Sequence, residues 1–232
     1  MERPNRFLVR ARLEDGQVVE AHLPDPGRLR ELLLPDAPLW LEPVSPGERP
    51  GRRTRWTLRL CQVPEGDRVV SLDSTLPNRL IGSALQQGAL DELAGWTLAR
   101  SEVTVGRSRF DFLLERAHDR VGGEGSGRLL LEVKSVTLVE DGVGLFPDAV
   151  TARGARHVQK LTQLQNQEWE TAVLFVLQRD DAREIRAAAS IDPHFAATLS
   201  QAEAAGVRIL GRRSRVDLEG VTLGPAVPAA PG

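Results

Sequence analysis

The chain has 232 residues, of which 41% are apolar and 27% charged, and its formal net charge is −2, which predicts one or two soluble domains with substantial cores. No apolar run approaches the roughly 18 residues of a membrane helix, and the first residues lack the apolar stretch of a secretory signal, so we expect a cytoplasmic protein without membrane contact. The single cysteine, Cys61, excludes an internal disulfide and a cysteine-rich zinc site.

The first third of the chain consists of short alternating runs separated by turns. These runs predict strands at residues 6–13, 18–23, 39–42, 54–60 and 68–72, with a short helical turn at 27–33. About five short strands in roughly 70 residues favour a small all-β barrel of the OB type, with a fragment of a β-sandwich as the alternative. We therefore predict an N-terminal all-β OB-like domain over residues 1–73.

Helical and strand patterns alternate from residue 74 onward. They predict, in order, a helix at 77–89, strands at 97–105, 108–114 and 128–136, a helix at 151–169, a buried strand at 172–177, a helix capped by Asp192, and a strand at 207–210. Residues 139–150 have no regular pattern. The order predicts a mixed α/β domain over residues 74–223, and the residues 224–232, rich in proline, alanine and glycine, predict a disordered tail.

The basic residues have an unusual composition. Only two of the 30 are lysines, Lys134 and Lys160. An ammonium group is compact and can lose its proton, whereas a guanidinium effectively cannot. Lysine in such a chain therefore marks positions where arginine does not serve, unless the two lysines are residual mutational noise.

A cluster of arginines lies between Pro43 and Pro64, where Glu48 is the only acidic residue. Its members are Arg49, Arg52, Arg53, Arg55 and Arg59. Such a cluster is either a phosphate-facing patch or a solvated, arginine-rich loop. We include Arg52, Arg53 and Arg55 among the predicted nucleic-acid contacts.

An acidic and a basic residue share one face of a predicted strand. Glu132 and Lys134 are two positions apart, so they project together. The preceding strand carries Asp111, and an antiparallel arrangement would place it across from this pair, with Phe110 and Phe112 buried together on the other face. A charge between two buried aromatic residues is costly unless it is paired or bound to a metal.

Two carboxylates and a lysine meet the requirements of metal-assisted phosphodiester hydrolysis. Asp111 and Glu132 would hold Mg²⁺ (or Mn²⁺), a hard cation that prefers oxygen ligands and keeps several waters. The cation would activate a water and stabilise charge on the phosphate. Lys134 would orient that water or neutralise the developing charge. The structural alternative is an ion-paired cluster in which both carboxylates contact Lys134.

The Asp…Glu-x-Lys spacing on this element order resembles the PD-(D/E)xK nuclease superfamily. More closely, the chain resembles the sugar fermentation stimulation protein A family from about residue 6 to about residue 222. The stretches that carry the resemblance are 76–80, 108–114, 131–138, 146–154 and 191–193.

This resemblance implies an OB-like domain followed by a mixed α/β PD-(D/E)xK nuclease-like domain that binds DNA. It leaves two functions open. One is a Mg²⁺-dependent phosphodiesterase with Asp111, Glu132 and Lys134 as its catalytic residues. The other is a non-catalytic DNA-binding regulator of sugar metabolism genes.

The N-terminal loop departs from the family's usual Pro-Asn-Thr/Ser-Gly-Arg. Here Pro24 is followed by Asp25, Pro26, Gly27 and Arg28. Asp25 repels phosphate, and Pro26 lacks both a hydroxyl and an amide donor. Gly27 and Arg28 still fit a loop that contacts a ligand.

Several other residues have two interpretations each. Asn78 and Arg79 open the first predicted helix and either contact phosphate there or, for Asn78, cap the helix. Asp148 is either a third carboxylate or a helix cap, and His157 is either structural or a phosphate contact. Lys160 lies where nucleases of this superfamily often present a polar residue to the substrate. The predicted nucleic-acid contacts are Arg28, Arg52, Arg53, Arg55, Asn78, Arg79 and Lys160.

Overall fold

The computed structural model describes residues 1–45, 51, 53–116, 127–165 and 169–232. The N-terminal strands are β1 (Glu2–Asn5), β2 (Leu8–Arg12), β3 (Val18–His22), β4 (Leu39–Pro43), β5 (Trp56–Gln62) and β6 (Val69–Ser71). The remaining elements are α1 (Leu76–Gln87), β7 (Trp96–Val105), β8 (Ser108–Arg116), β9 (Arg128–Val136), β10 (Leu138–Glu140), β11 (Val143–Phe146), α2 (Ala152–Gln165), β12 (Glu170–Leu177), β13 (Glu184–Ala187), α3 (Pro193–Ala204), β14 (Arg208–Val216), β15 (Val221–Ala226) and β16 (Ala229–Ala230). Within the described residues, no helix has the length and apolar character to cross a membrane.

The N-terminal sheet has the strand order β1-β2-β3-β5-β4, with β6 paired to β5. Each of the five predicted strands is confirmed, and Leu32 and Leu33 both donate their amides to the Leu29 carbonyl, which confirms the helical turn. Leu29 and Leu32 are fully buried among the inward-facing strand residues. The edge strand β1 was not predicted, because its Glu-Arg-Pro-Asn sequence has no apolar alternation.

The second sheet has the order β15-β14-β12-β9-β8-β7. Its central strand β12 is parallel to both β9 and β14, and residues 171–177 are all buried, as the continuous apolar pattern predicts. Alternate residues of β9 enter different cores: Leu130 packs with α2 and α3 residues, whereas Leu131 packs with α1 residues. Helices therefore cover both faces of this sheet.

A third sheet has the order β10-β11-β13-β16. Its strands β10 and β11 lie largely in the segment that we predicted to be irregular, β16 lies in the predicted disordered tail, and β13 was not predicted. The structure differs from the predicted tail at 224–232, because β15 reaches Ala226 and Ala229–Ala230 pair with β13. Close packing explains this order. A Cβ at Gly211 would lie 2.8 Å from the Val227 carbonyl, so the missing side chain admits the C-terminal segment. Two backbone hydrogen bonds complete the pairing: the Ile185 amide donates to the C-terminal segment, and the Val227 amide of that segment donates to Gly211.

A latch between Asp148 and the loop after β3 joins the N-terminal residues to the segment between β11 and α2. Asp148 Oδ2 accepts the amides of Arg28 and Leu29 at 2.6 and 3.3 Å. A Cβ at Gly27 would lie 2.5 Å from the same oxygen, so only glycine permits this approach. Asp148 thus does not cap α2; the Thr151 amide at the start of that helix is instead bonded to Asp192 at 2.7 Å.

Asp25 lies buried within the loop that the latch holds, and its Oδ1 accepts the Gly27 amide at 2.7 Å. Burial, which this hydrogen bond opposes and the charge of Asp148 reinforces, raises the pKa of Asp25 to about 6. The Arg3 guanidinium, which bonds the carbonyl oxygens of Gly27 and Arg28, also opposes the rise. At neutral pH the Asp25 carboxylate therefore costs folding free energy.

We predict that Asp25→Asn stabilises the protein in a pH-dependent manner. The folded state binds the Asp25 proton more tightly than the unfolded state does. The stabilisation that this tighter binding gives the folded parent protein is complete below the ordinary pKa near ~4 and is lost as the pH rises through about 6. The amide keeps an oxygen for Gly27, and the free energy of unfolding should rise by about 1–3 kcal/mol near neutral pH. Denaturant unfolding should show almost no gain near pH ~4.

The control is Asp15→Asn, because Asp15 is exposed and also accepts a backbone amide, that of Gln17, at 2.9 Å. This substitution should change stability little at either pH. An equal gain in the two variants, or a gain at Asp25 that does not depend on pH, would contradict the prediction.

Candidate active site

The candidate site forms where the pairing of β8 with β9 stops. The paired residues run from Glu115 opposite Arg128 to Phe112 opposite Leu131, and Asp111 and Glu132 come next on the two strands. Instead of continuing the ladder through its backbone, Asp111 accepts the Val133 amide with its side-chain Oδ2 at 2.7 Å. The carboxylate of Asp111 is thus fixed against the strand segment that carries Glu132 and Lys134.

The alternation of β8 breaks at Asp111. We expected Phe110 and Phe112 to be buried on one face, but Phe110 packs with α2 and α3 residues and Phe112 with α1 residues. On the neighbouring strand β7, Glu102 faces Asp111 and has a left-handed backbone with φ of 53°. The local twist therefore buries one phenylalanine on each side and fixes the position of the carboxylate between them.

Asn78 holds the second oxygen of Asp111. Its Nδ2 donates to Asp111 Oδ1 at 2.6 Å from the first turn of α1. Asn78 therefore does not cap the helix, whose N-cap is Thr75. Burial, reinforced by the charge of Glu132, raises the pKa of Asp111, although Val133, Lys134 and Asn78 all act in the opposite direction. The negative charge at Asp111 is thus incompletely compensated.

The two oxygens of Glu132 have different surroundings. Oε1 accepts the Lys134 ammonium at 2.5 Å and lies 2.7 Å from His157 Nδ1. Oε2 is buried and has no hydrogen-bond partner among the described residues. Burial alone would raise the pKa of Glu132, but the hydrogen bond of His157 and the charge of Lys134 hold it below its ordinary value. Glu132 is therefore a buried carboxylate with one fully used oxygen and one bare oxygen.

His157 is the site residue that the sequence did not identify as a partner of Glu132. It lies on the inner edge of α2, and its ring packs edge-on against Phe110 with centroids 6.3 Å apart. Its helical spacing from Val158 and Leu161 indicates an inward position. That spacing carries no information on which strand residue the imidazole meets, because the contact depends on how α2 lies across the sheet.

The other predicted contacts surround this centre unevenly. Arg79 bonds Asp73 at 2.8 Å and remains largely exposed. Lys160 is half-buried on α2, three residues beyond His157, and it makes no hydrogen bond or ion pair with the residues that the structure describes. Arg28 has an exposed side chain on the loop that Asp148 holds.

The N-terminal arginine cluster is separate from this centre. Arg53 and Arg55 are exposed, and Arg52 lies outside the described residues. Arg59 of the same cluster is committed to Glu42 and Asp73, at 2.6 and 3.0 Å. In the described parts of the chain, no hydrogen bond or ion pair joins Arg53 or Arg55 to the two carboxylates of the site.

The donor set fits a hard divalent cation. Glu132 Oε2 is bare, and each oxygen of Asp111 accepts one hydrogen bond and retains a lone pair. Among the described residues, no group of three or more histidine, cysteine, aspartate or glutamate side chains is suited to a metal. Any cation here would therefore take two side-chain carboxylates from the protein and complete its shell with other oxygen ligands, as Mg²⁺ commonly does.

Two family models match the chain: the SfsA N-terminal OB domain over residues 1–72 and the sugar fermentation stimulation protein RE domain over residues 75–220. The chain belongs to the sugar fermentation stimulation protein family. Its membership and the predicted N-terminal OB domain are thereby confirmed. A homologue from Shouchella clausii is 44% identical over 98% of this chain and 94% of its own length. Another, from Moorella thermoacetica, is 44% identical over 96% and 91%.

A solved structure shares the fold along almost the whole chain. It is that of Pyrococcus furiosus SfsA in complex with Ca²⁺, with a TM-score of 0.84 and 24% sequence identity. The match covers 99% of this chain and 93% of that chain. The family members therefore share both the N-terminal OB domain and the larger α/β part that follows it.

We predict that His157→Phe destabilises the protein, whereas His157→Asn largely preserves its stability. Phenylalanine removes a donor from a buried carboxylate, which should lower the free energy of unfolding by about 1–3 kcal/mol. Asparagine can place its amide near the position of Nδ1. Denaturant unfolding of both variants tests this prediction, and a His157→Phe protein as stable as the parent would show that this hydrogen bond contributes nothing.

Proposed function

We propose that this protein binds DNA and carries a Mg²⁺-dependent (or Mn²⁺-dependent) phosphodiesterase site on a C-terminal domain of the PD-(D/E)xK nuclease-like type. Asp111, Glu132 and Lys134 are its catalytic residues. The observation that carries the proposal is the bare, buried Oε2 of Glu132 beside an Asp111 carboxylate whose charge is incompletely compensated. A polar atom left unpaired in the interior costs folding free energy, so its retention favours a ligand-binding role.

The cation would be held by Asp111 and Glu132. The Pyrococcus furiosus protein of the same fold is described in complex with Ca²⁺, which, like Mg²⁺, is a hard cation with oxygen ligands. When bound, such a cation lowers the pKa of a coordinated water and stabilises negative charge on a phosphate.

The protein's own groups would supply positioning and charge. Lys134 uses one of its three ammonium donors on Glu132, which leaves two for a water or a phosphate oxygen. Asn78 and the Val133 amide hold Asp111, and His157 holds Glu132, so neither carboxylate has to reorganise as the reaction proceeds. This division favours lysine over arginine at position 134, because a compact ammonium fits beside a neighbouring carboxylate where a planar fork does not.

DNA is the proposed partner because the carboxylates lie among cations that could meet phosphates. Lys160, Arg79 and Arg28 belong to elements that contact the site or its adjoining loop. Asn78 donates one of its two amide hydrogens to Asp111, so a second donor remains for the proposed contact with a phosphate.

The second candidate is a DNA-binding regulator whose site does not cleave. The names of the relatives favour some role in sugar fermentation but describe no chemistry. The two candidates make different predictions for the same variants, so one set of measurements separates them.

We predict that Lys134→Arg and Glu132→Gln both abolish cleavage. Lys134→Arg should leave DNA affinity almost unchanged because the charge is kept, whereas Glu132→Gln should not weaken binding because it removes a negative charge that repels phosphate. Substituting a broad guanidinium for the ammonium misplaces the water or phosphate it contacts, and a displacement of about 1 Å can cost 10²-fold in rate. The assay is a cleavage screen with single-stranded, duplex and branched DNA and with RNA, in Mg²⁺ and in Mn²⁺. Affinity and melting temperature are measured on the same preparations.

The matched control is Glu92→Gln, which breaks a similarly shielded ion pair with Arg212 in the same domain but outside the site. This variant should lose stability and keep its rate of cleavage. Full cleavage by Lys134→Arg would remove that lysine from the mechanism. A parent protein that binds DNA but cleaves none of the substrates would favour the regulator, and one that does not bind DNA would exclude both.

A further inference from the structure

A strip of three cations lies on α2, and two further arginines lie on the neighbouring β7–β8 hairpin. The strip consists of Arg153, Arg156 and Lys160, and the hairpin arginines are Arg107 and Arg109. The four arginines are exposed and Lys160 is half-buried. The only carboxylate paired with any of them among the described residues is that of Glu102, which lies 4.0 Å from Arg109 with both side chains mostly in solvent. Such a pair contributes little, so the strip is free to bind another anion.

Helix geometry places the α2 members of the strip beside the candidate site. Arg153 lies four residues before His157 and Lys160 three residues after it, so these side chains follow one side of the helix. His157 reaches inward to Glu132, at the boundary between the strip and the buried face that carries Val158 and Leu161. The strip therefore borders the side of the helix from which His157 contacts Glu132.

One face of the β7–β8 hairpin lies against α2. Its Phe110 packs edge-on against His157 of the helix, with ring centroids 6.3 Å apart. Arg109 comes directly before Phe110 on the same strand, so it projects from the opposite face of the hairpin. The cations that border the site on this side are therefore those of the helix.

These cations differ from several other arginines of the chain, which are held in close ion pairs. Arg59, Arg179 and Arg212 each hold a carboxylate at 2.5 or 2.6 Å. The formal net charge of the whole chain is −2. The strip, whose cations have no close ion-pair partner among the described residues, is therefore a local feature and not a consequence of composition.

We propose that this strip is the surface that binds the phosphate backbone of DNA and delivers one strand to Asp111 and Glu132, in place of the arginine cluster at Arg52, Arg53 and Arg55. The inference rests on the proposed function. From Arg153 to Lys160 the helix rises about 10 Å, which corresponds to roughly three base pairs at about 3.4 Å each along the duplex axis. Arginine forks suit phosphate oxygens, and the carboxylates at the end of the track keep the backbone from binding there without a cation.

The test measures binding of a labelled DNA duplex at several salt concentrations, with EDTA present so that cleavage does not interfere. The variant combines Arg153→Gln, Arg156→Gln and Lys160→Gln, which remove charge from a helix without introducing poor helix formers. Each lost phosphate contact lowers the magnitude of the salt slope by about 0.9, so the slope should fall by about two to three. A companion variant, Arg153→Lys with Arg156→Lys, keeps the charge and should retain the slope of the parent.

The control combines Arg12→Gln, Arg53→Gln and Arg55→Gln, three exposed arginines of the N-terminal domain, and its slope should equal that of the parent. Melting temperatures verify that all variants fold. An unchanged slope in the α2 variant, or a slope that falls only in the control, overturns this inference while leaving the proposed function in place. A parent protein without salt-dependent binding of the duplex refutes the proposed DNA binding and the strip together.

Discussion

The hydrogen bond from the Val133 amide to the Asp111 carboxylate is the interaction on which the rest of the site depends. In a regular antiparallel pair, the Val133 amide would find a backbone carbonyl on β8. Because a side chain takes that place, the paired ladder stops at Phe112 and Leu131, and the carboxylate lies against β9 directly after an apolar stretch of paired residues. An aspartate suits this position, since its short side chain reaches the neighbouring amide while its backbone stays in the strand. The substitution of a side-chain oxygen for a carbonyl thus creates a charged centre inside a sheet.

The burial of two carboxylates in that centre sets an electrostatic problem that the surrounding residues solve only in part. Lys134 and His157 together offset the charge of Glu132, and the pKa of that group falls below its ordinary value. Asp111 receives a neutral amide on each oxygen, which stabilises the anion less than a cation does, and its pKa rises. Both groups are carboxylates, so their pKa values shift in opposite directions because of their surroundings. One additional positive charge near Asp111 and Glu132 Oε2 would complete the balance, which is the physical basis for placing a divalent cation there.

Local sequence rules predicted those features that depend on neighbours in the chain. Glu132 and Lys134 share a face because strand residues alternate, Asp192 caps α3 through the Phe195 amide, and the apolar run of β12 lies at the centre of the sheet. The contacts that complete the site join distant residues. Asn78 and Asp111 are 33 positions apart, and His157 and Glu132 are 25 positions apart. The periodicity of the sequence does not specify which inward-facing polar residues contact each other, because those contacts depend on how the helices pack on the sheet.

The same limit explains why the tail and the two phenylalanines differ from their predictions. The C-terminal segment has no amphipathic pattern of its own and becomes ordered through Gly211 and the edge of β13, which belong to other parts of the chain. Phe110 and Phe112 follow the expected spacing, yet the backbone turns over between them at Asp111 and sends them to opposite cores. A functional residue that disturbs regular strand geometry also defeats the rule that would otherwise locate its neighbours.

The junction between the two domains shows how the N-terminal domain takes part in the site although it supplies none of the carboxylates. Gln178, fully buried at the end of β12, donates to the Asp73 carbonyl, and Ser74 donates to the Pro24 carbonyl. Asp73 in turn binds Arg79 on α1, the helix whose Asn78 holds Asp111. A shift of the N-terminal domain would therefore be transmitted through α1 to the hydrogen bond that positions Asp111. Because the buried Asp73 is shared by these contacts, the packing of the first domain helps to hold α1, and with it Asn78, against Asp111.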